Sequence, residues 1–107
     1  MVIELVAPLA ANGVYTSGTR DMNAVHDDYG VAVAHYEATV DSDQSGAIEI
    51  DQSTDQIVWA SGVSTAYTAA TGVMLVAFQP TQQYVRAKYT NGTTLQTRFA
   101  MTTGVDY

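Results

Sequence analysis

Cysteine is absent from the chain, and only 4 of its 107 side chains are Lys or Arg. Without Cys there is no disulfide framework and no thiolate metal site, which fits a reducing compartment or stabilisation by other means. The few cations face 11 carboxylates, leaving a net charge of −7. A surface of that sign repels phosphate backbones, so nucleic acid is not an expected partner. Long hydrophobic runs are missing too. The longest, GVMLVAF from Gly72 to Phe78, is far too short to span a membrane, and no membrane partner is expected. The opening MVIELVAPLAANG has Glu4 inside its apolar run and no basic flank, so it does not read as a signal peptide. Helix formers are thin: there is one Lys and three Glu, and no helical stripe extends beyond two turns.

What is there instead is Thr, Val, Tyr, Ser and Gly, residues that suit a pleated, half-buried surface. Hydrophobic residues make up 47% of the chain, enough for one core and against disorder, so residues 1–107 read as a single domain. Period-two segments recur between turn signals. They are VIELV at 2–6, a short one in NGVYTSG, GVAVAHYEATV at 30–40, AIEID, QIVWA, VMLVAFQ, YVRAKYT and TLQTRFAM. Residues 18–29 read as a polar surface loop and STAYTAATG as a flexible crossover. The expected fold is all-β: an antiparallel sandwich or jelly roll of roughly eight short strands.

Asn91-Gly92 suggests a hairpin, and its register can be argued from the side chains. A two-residue turn would mix charged and apolar groups on both faces. A three-residue loop, Thr90-Asn91-Gly92 with Gly92 left-handed, sets Ala87 opposite Leu95, Val85 opposite Thr97 and Gln83 opposite Phe99. It gathers Tyr84, Arg86, Lys88 and Arg98 on the other face. Because a one-residue slip inverts every side chain, the coherent register is the expected one.

Four groups invite a functional reading. DSDQSGAIEIDQ, Asp41 to Gln52, places Asp41, Asp43, Ser45 and Gly46 as a calcium loop would. Its flanks have strand periodicity, however, and Gln52 stands where the bidentate Glu belongs, so the segment reads as a turn made of Asp, Ser and Gly. His35 and Glu37 share a strand face without the Cys pair a zinc deaminase needs, which favours a solvated charge pair. His26, Asp27 and Asp28 could hold a divalent ion, but they sit in a polar loop. With no nucleophile elbow, phosphate loop or dinucleotide fingerprint, neither an enzyme nor a bound cofactor or metal is expected.

The fourth group is the basic face. Arg86, Lys88 and Arg98, beside Tyr84, are three of the four cations. Two readings compete for them: a solvated face with intramolecular ion pairs, or docking onto an acidic partner surface by Arg, which binds carboxylates bidentately and stacks on rings. Trp59 is expected between the sheets, and Asp55 is expected to cap the turn preceding it.

GAIEIDQSTDQIVW joins the apolar pair Ile48 and Ile50 to Gln52-Ser53, Asp55 and Trp59. Further on come Tyr84-Val85-Arg86, then Tyr89-Thr90-Asn91-Gly92, with Gln96 and Phe99 in the return strand. In that order, over residues 46–102, the chain resembles small β-sandwich proteins of tailed bacteriophage virions. The resemblance implies a virion structural protein, foremost a decoration or cement protein on the outside of the head. Its partner would be the major capsid protein, and self-association, for example as a trimer, would accompany it. A tail, baseplate or fibre module, contacting glycans through Tyr side chains, is the alternative that the resemblance leaves open.

Overall fold

The computed structural model describes residues 2–22, 35–69 and 72–106. Within them are nine strands, all paired antiparallel. They are β1 (Val2–Val6), β2 (Val14–Thr16), β3 (Arg20–Asp21), β4 (His35–Ser42), β5 (Gly46–Ser53), β6 (Ala60–Tyr67), β7 (Met74–Phe78), β8 (Tyr84–Asn91) and β9 (Phe99–Asp106). One sheet has the order β1-β9-β4-β7; the other runs β2-β8-β5-β6, with β3 also on β8. The all-β sandwich read from sequence is the observed architecture. His26, Asp27, Asp28 and the first residues of the 30–40 segment lie outside the described residues.

Alternation places the core. On β4 the inward positions are Tyr36, Ala38, Val40 and Ser42; on β8 they are Val85, Ala87, Tyr89 and Asn91. Ile48 and Ile50 of β5 and Phe99 and Met101 of β9 close the same core. The ring of Tyr89 stands 4.8 Å from that of Phe99 and meets Tyr67 edge-on at 6.2 Å, so aromatic packing joins the two sheets.

Several expectations fail, for physical reasons. Gln56 to Trp59 of QIVWA lie in a turn, and Ser64 to Tyr67 of the supposed crossover belong to strand β6. The hydroxyl of Ser53 accepts the N–H groups of Asp55 and Gln56 at 3.2 and 2.9 Å. Oδ1 of Asp55 accepts those of Ile57 and Val58 at 2.8 and 3.0 Å, so it caps the residues that follow it rather than a turn preceding it. Backbone donors that a strand would give to its neighbour are thus taken by side chains, and Gln56 is left-handed at φ 65°. Trp59 consequently leaves the core for the outer face of the five-stranded sheet, over Arg86.

The hairpin does not form: β8 and β9 belong to different sheets. Asn91 is buried and donates from Nδ2 to the carbonyls of Ala10 and Thr94, both at 2.9 Å. Gly92 donates its N–H to Ser45 O at 3.1 Å, and a Cβ there would come within 2.8 Å of that oxygen. The Asn-Gly pair therefore serves a close crossing between sheets, and among the described residues the positive-φ glycine is Gly72. Leu95, expected inside, is 61% exposed, while Gln96 occupies the interior.

That inversion is measurable. Gln96→Leu removes the partners of Leu9 N–H and the Ser42 hydroxyl, at an expected cost of about 2–3 kcal/mol in urea unfolding. Leu95→Gln should change stability by no more than ~0.5 kcal/mol. The hairpin register predicts the reverse ranking.

Candidate interaction surface

The sequence builds a charge ladder on the outer face of the five-stranded sheet. β5 alternates Ile48-Glu49-Ile50-Asp51, and β8 alternates Val85-Arg86-Ala87-Lys88. Antiparallel register sets Glu49 opposite Lys88, Asp51 opposite Arg86 and Ser53 opposite Tyr84. Lys88 Nζ lies 3.2 Å from Glu49 Oε2, and Arg86 Nε lies 3.5 Å from Asp51 Oδ2. Cross-strand opposite charges are the pairs that stabilise a sheet face. The Arg86 guanidinium also sits 4.0 Å from the centroid of the Trp59 ring, so it is held between an indole and a carboxylate.

Of the four residues expected to bind a partner, Tyr84, Arg86 and Lys88 share this face. Arg98 does not. It precedes β9 of the other sheet, where its Nη2 donates to Asp41 Oδ1 at 3.1 Å. Each of the three cations is therefore engaged within the molecule. The acidic residues of the calcium-like segment are engaged as well. Asp43 accepts from the N–H of Thr97 at 3.0 Å, that of Arg98 at 3.1 Å and the Thr97 hydroxyl. These bonds hold its carboxyl at about 2, below the usual range. Strands β4 and β5 flank that turn, as its periodicity implied. His35 and Glu37 lie on the outer face of β4, in positions that alternate with buried Tyr36 and Ala38.

Asp51 is the unusual member of the ladder. It is 3% exposed, and its Oδ1 lacks a hydrogen-bond partner among the described residues. Burial, then the adjoining Glu49 carboxyl, push its pKa up to about 6. Glu49 moves the other way, held down chiefly by its hydrogen bond with Asp51 and then by Lys88. The pair thus keeps one proton on Asp51 at mildly acidic pH. Sequence reasoning passed over Asp51 and Glu49, although the acidic alternation of β5 beside the basic alternation of β8 was the signal for them.

A second polar cluster joins the sheets at β1. A cleft of about 250 Å³ is lined by Glu4, Gly18, Thr19, Arg20, Tyr36 and Thr103. Glu4 Oε2 accepts from the Thr103 hydroxyl at 2.6 Å, and its Oε1 accepts from Tyr15 OH and Gly18 N–H, both at 3.3 Å. With both oxygens engaged, Glu4 ties β1 to the loop between β2 and β3. Burial raises the pKa of Tyr36, and burial together with Glu4 raises that of Tyr15, so both phenols stay neutral here.

Fold and surface together define a two-sheet antiparallel sandwich whose outer face is laced with cross-strand ion pairs. The chain belongs to the family described as "Uncharacterised protein YqxG N-terminal domain", which matches residues 1–106. Among solved structures it is similar in fold to the PBSX exported protein XepA, with a TM-score of 0.82 and 22% identity over 96% of this chain. The match covers 35% of XepA, so the chain spans about a third of that protein's length. No curated protein matches the sequence.

The Asp51–Glu49 pair sets a pH signature. The folded state holds the Asp51 proton more tightly than the unfolded chain does, so its contribution to stability is full below the unfolded value of 3.8 and lost as pH rises through about 6. Across pH 4 to 7 the wild type should therefore lose stability relative to Asp51→Asn in thermal unfolding. Asp43 acts oppositely in a lower window, its contribution fading as pH falls from 3.8 towards 2. A pH-independent difference between wild type and Asp51→Asn would contradict the shared-proton reading.

Proposed function

We propose that this chain is a structural module of a phage-type particle, acting by surface contact rather than by catalysis. The observation that supports it is the fold likeness, over nearly the whole chain, to an exported protein that is phage-related. The leading form of the proposal is a decoration protein. It would bind the major capsid protein on the head exterior and bury surface across joints between subunits. Binding to the assembled shell alone shifts its stability by mass action, to an extent set by packed anchors rather than by area.

The contact face in this reading is the ladder side of the five-stranded sheet. Tyr84 and Trp59 supply aromatic surface, and Arg86 and Lys88 meet an acidic partner, Lys88 by exchanging part of its internal pairing. For Lys88 the exchange is inexpensive, because its pair with Glu49 is partly exposed and such pairs are worth only ~0–1 kcal/mol. Arg86 would keep its pairing with buried Asp51 and add a partner carboxylate to it. Arg98, on the other sheet, would contribute from a separate patch.

A specific observation favours a second reading. The similar protein is described as exported and is about three times as long as the matched region, as suits a module of a larger tail, baseplate or fibre component. Density-gradient fractions of a phage-producing culture, probed by immunogold labelling, separate the two. Label on heads is the expected result; label on tails supports the second reading; protein confined to the particle-free supernatant overturns both. Tyr84→Ala and Lys88→Ala should each lower particle occupancy about tenfold, a loss of ~1.4 kcal/mol.

A further inference from the structure

Of the four cations in the chain, Arg86, Lys88 and Arg98 face Asp51, Glu49 and Asp41. The fourth, Arg20, has no carboxylate partner among the described residues. Its position makes that unusual. β3 pairs with β8 so that Arg20 stands opposite the core residue Val85, and Asp21 opposite Tyr84 on the outer face. Directly opposed residues share a face of the sheet, so Arg20 is set on the inner side, at the margin of the five-stranded sheet. It is half-buried there. A charge drawn out of water is costly unless it meets a counter-charge.

Arg20 borders the cleft of about 250 Å³ between the sheets. Tyr36 and Thr103, both buried, line its inner end, and exposed Gly18 and Thr19 line its mouth. Glu4 stands on the same cleft, and among the described residues it forms no ion pair with Arg20. Burial raises the Tyr36 pKa most, and Glu4 and Arg20 act on it in opposite senses, so both charges lie around its hydroxyl. Thr103, Tyr15 and Gly18 already donate to Glu4. A carboxylate has about four lone-pair positions, so roughly one remains, together with the whole fork of Arg20.

We propose that this cleft binds a small hydroxy-carboxylate: the ligand's carboxylate takes the guanidinium of Arg20, and a neighbouring hydroxyl donates to Glu4. The planar fork of Arg matches a carboxylate bidentately. Glu4 counts against a phosphate, which brings nearly two negative charges, and the Gly18 N–H that could have received one is committed to Glu4. A neutral sugar would leave Arg20 without a counter-charge. The volume is below the ~300–1,000 Å³ of sites that enclose drug-sized ligands, which suits a single acid of sugar size or smaller. A free hydroxy acid and the uronic acid of a glycan present the same chemistry. The inference does not depend on the proposed function, since it is read on the isolated chain.

Titration of the isotopically labelled full chain with lactate and with glucuronate, followed by NMR at neutral pH, tests it. Saturable shifts of the Gly18, Thr19 and Arg20 amides are expected, with a dissociation constant on the order of 1 mM for the better ligand. Tighter binding of lactate assigns the cleft to free acids, and tighter binding of glucuronate assigns it to glycans. Glucose, which lacks the carboxylate, and inorganic phosphate should bind at least tenfold more weakly than the better acid. Arg20→Gln should weaken that acid at least tenfold with the circular dichroism spectrum unchanged, whereas Arg98→Gln, at a paired cation, should leave its binding intact. If Arg20→Gln perturbs folding, the comparison of glucose with glucuronate on the wild type gives the same reading. Shifts that fail to saturate by about 50 mM, glucose or phosphate binding as tightly as the better acid, or an affinity unmoved by Arg20→Gln overturns the proposal.

Discussion

The backbone of Ser42, where β4 ends and the chain leaves one sheet for the other, is held by the hydroxyl of Tyr67. Ser42 N–H donates to that oxygen at 3.0 Å, and the Tyr67 proton lies between the carbonyls of Ser42, also at 3.0 Å, and Gly72. The Ser42 hydroxyl donates to Gln44 O at 2.9 Å and accepts from Gln44 N–H and from Nε2 of Gln96. Gln96 in turn accepts Leu9 N–H at 2.8 Å. The bonds of Ser42 with Tyr67 and Gln96, and of Gln96 with Leu9, join segments far apart in the chain and exist only when both sheets are in place. Unmade bonds here would cost about 1–3 kcal/mol each, which gives the set its power to specify one arrangement.

That polar bracket explains why the crossings sit together at one end of the sandwich. The β4–β5 link passes Ser45, whose carbonyl accepts the N–H of Gly92; the β8–β9 link begins with Asn91, anchored on the carbonyls of the 9–10 segment. Once the crossings are fixed, strand neighbours follow, and with them the faces. The ion pairs of Glu49 with Lys88 and Asp51 with Arg86 are a consequence of the β5–β8 register. They tune an outer surface whose placement the core has already determined, and they leave the 56–85 side of the molecule without charge.

Much of this was legible in the sequence because a strand declares its faces by alternation. The period-two pattern located β1, β5, β7 and β8, and it assigned Val85, Ala87 and Phe99 to the interior. It could not reveal which sheet a strand joins, since alternation is the same whichever neighbour lies beside it. Reading Asn91-Gly92 as a hairpin followed from local turn chemistry, whereas here the glycine is required by the approach of Ser45 O. Trp59 was misplaced because its hydrophobic area suggested the core. Asp55 and Ser53 instead turned the chain outward, where Arg86 offered the indole a cation. The family resemblance to phage sandwich proteins pointed to the right fold, while the grouping of Arg98 with Arg86 and Lys88 depended on the hairpin and fell with it.

Through-space NMR contacts between backbone protons test the sheet crossing most directly. The account predicts cross-strand contacts of Thr39 with Thr102 and Val40 with Met101 in one sheet, and of Ile50 with Ala87 in the other. Contacts of Ala87 with Leu95 and of Val85 with Thr97, in place of these, would show that β8 turns back on itself and would contradict the crossing on which the two-sheet arrangement rests.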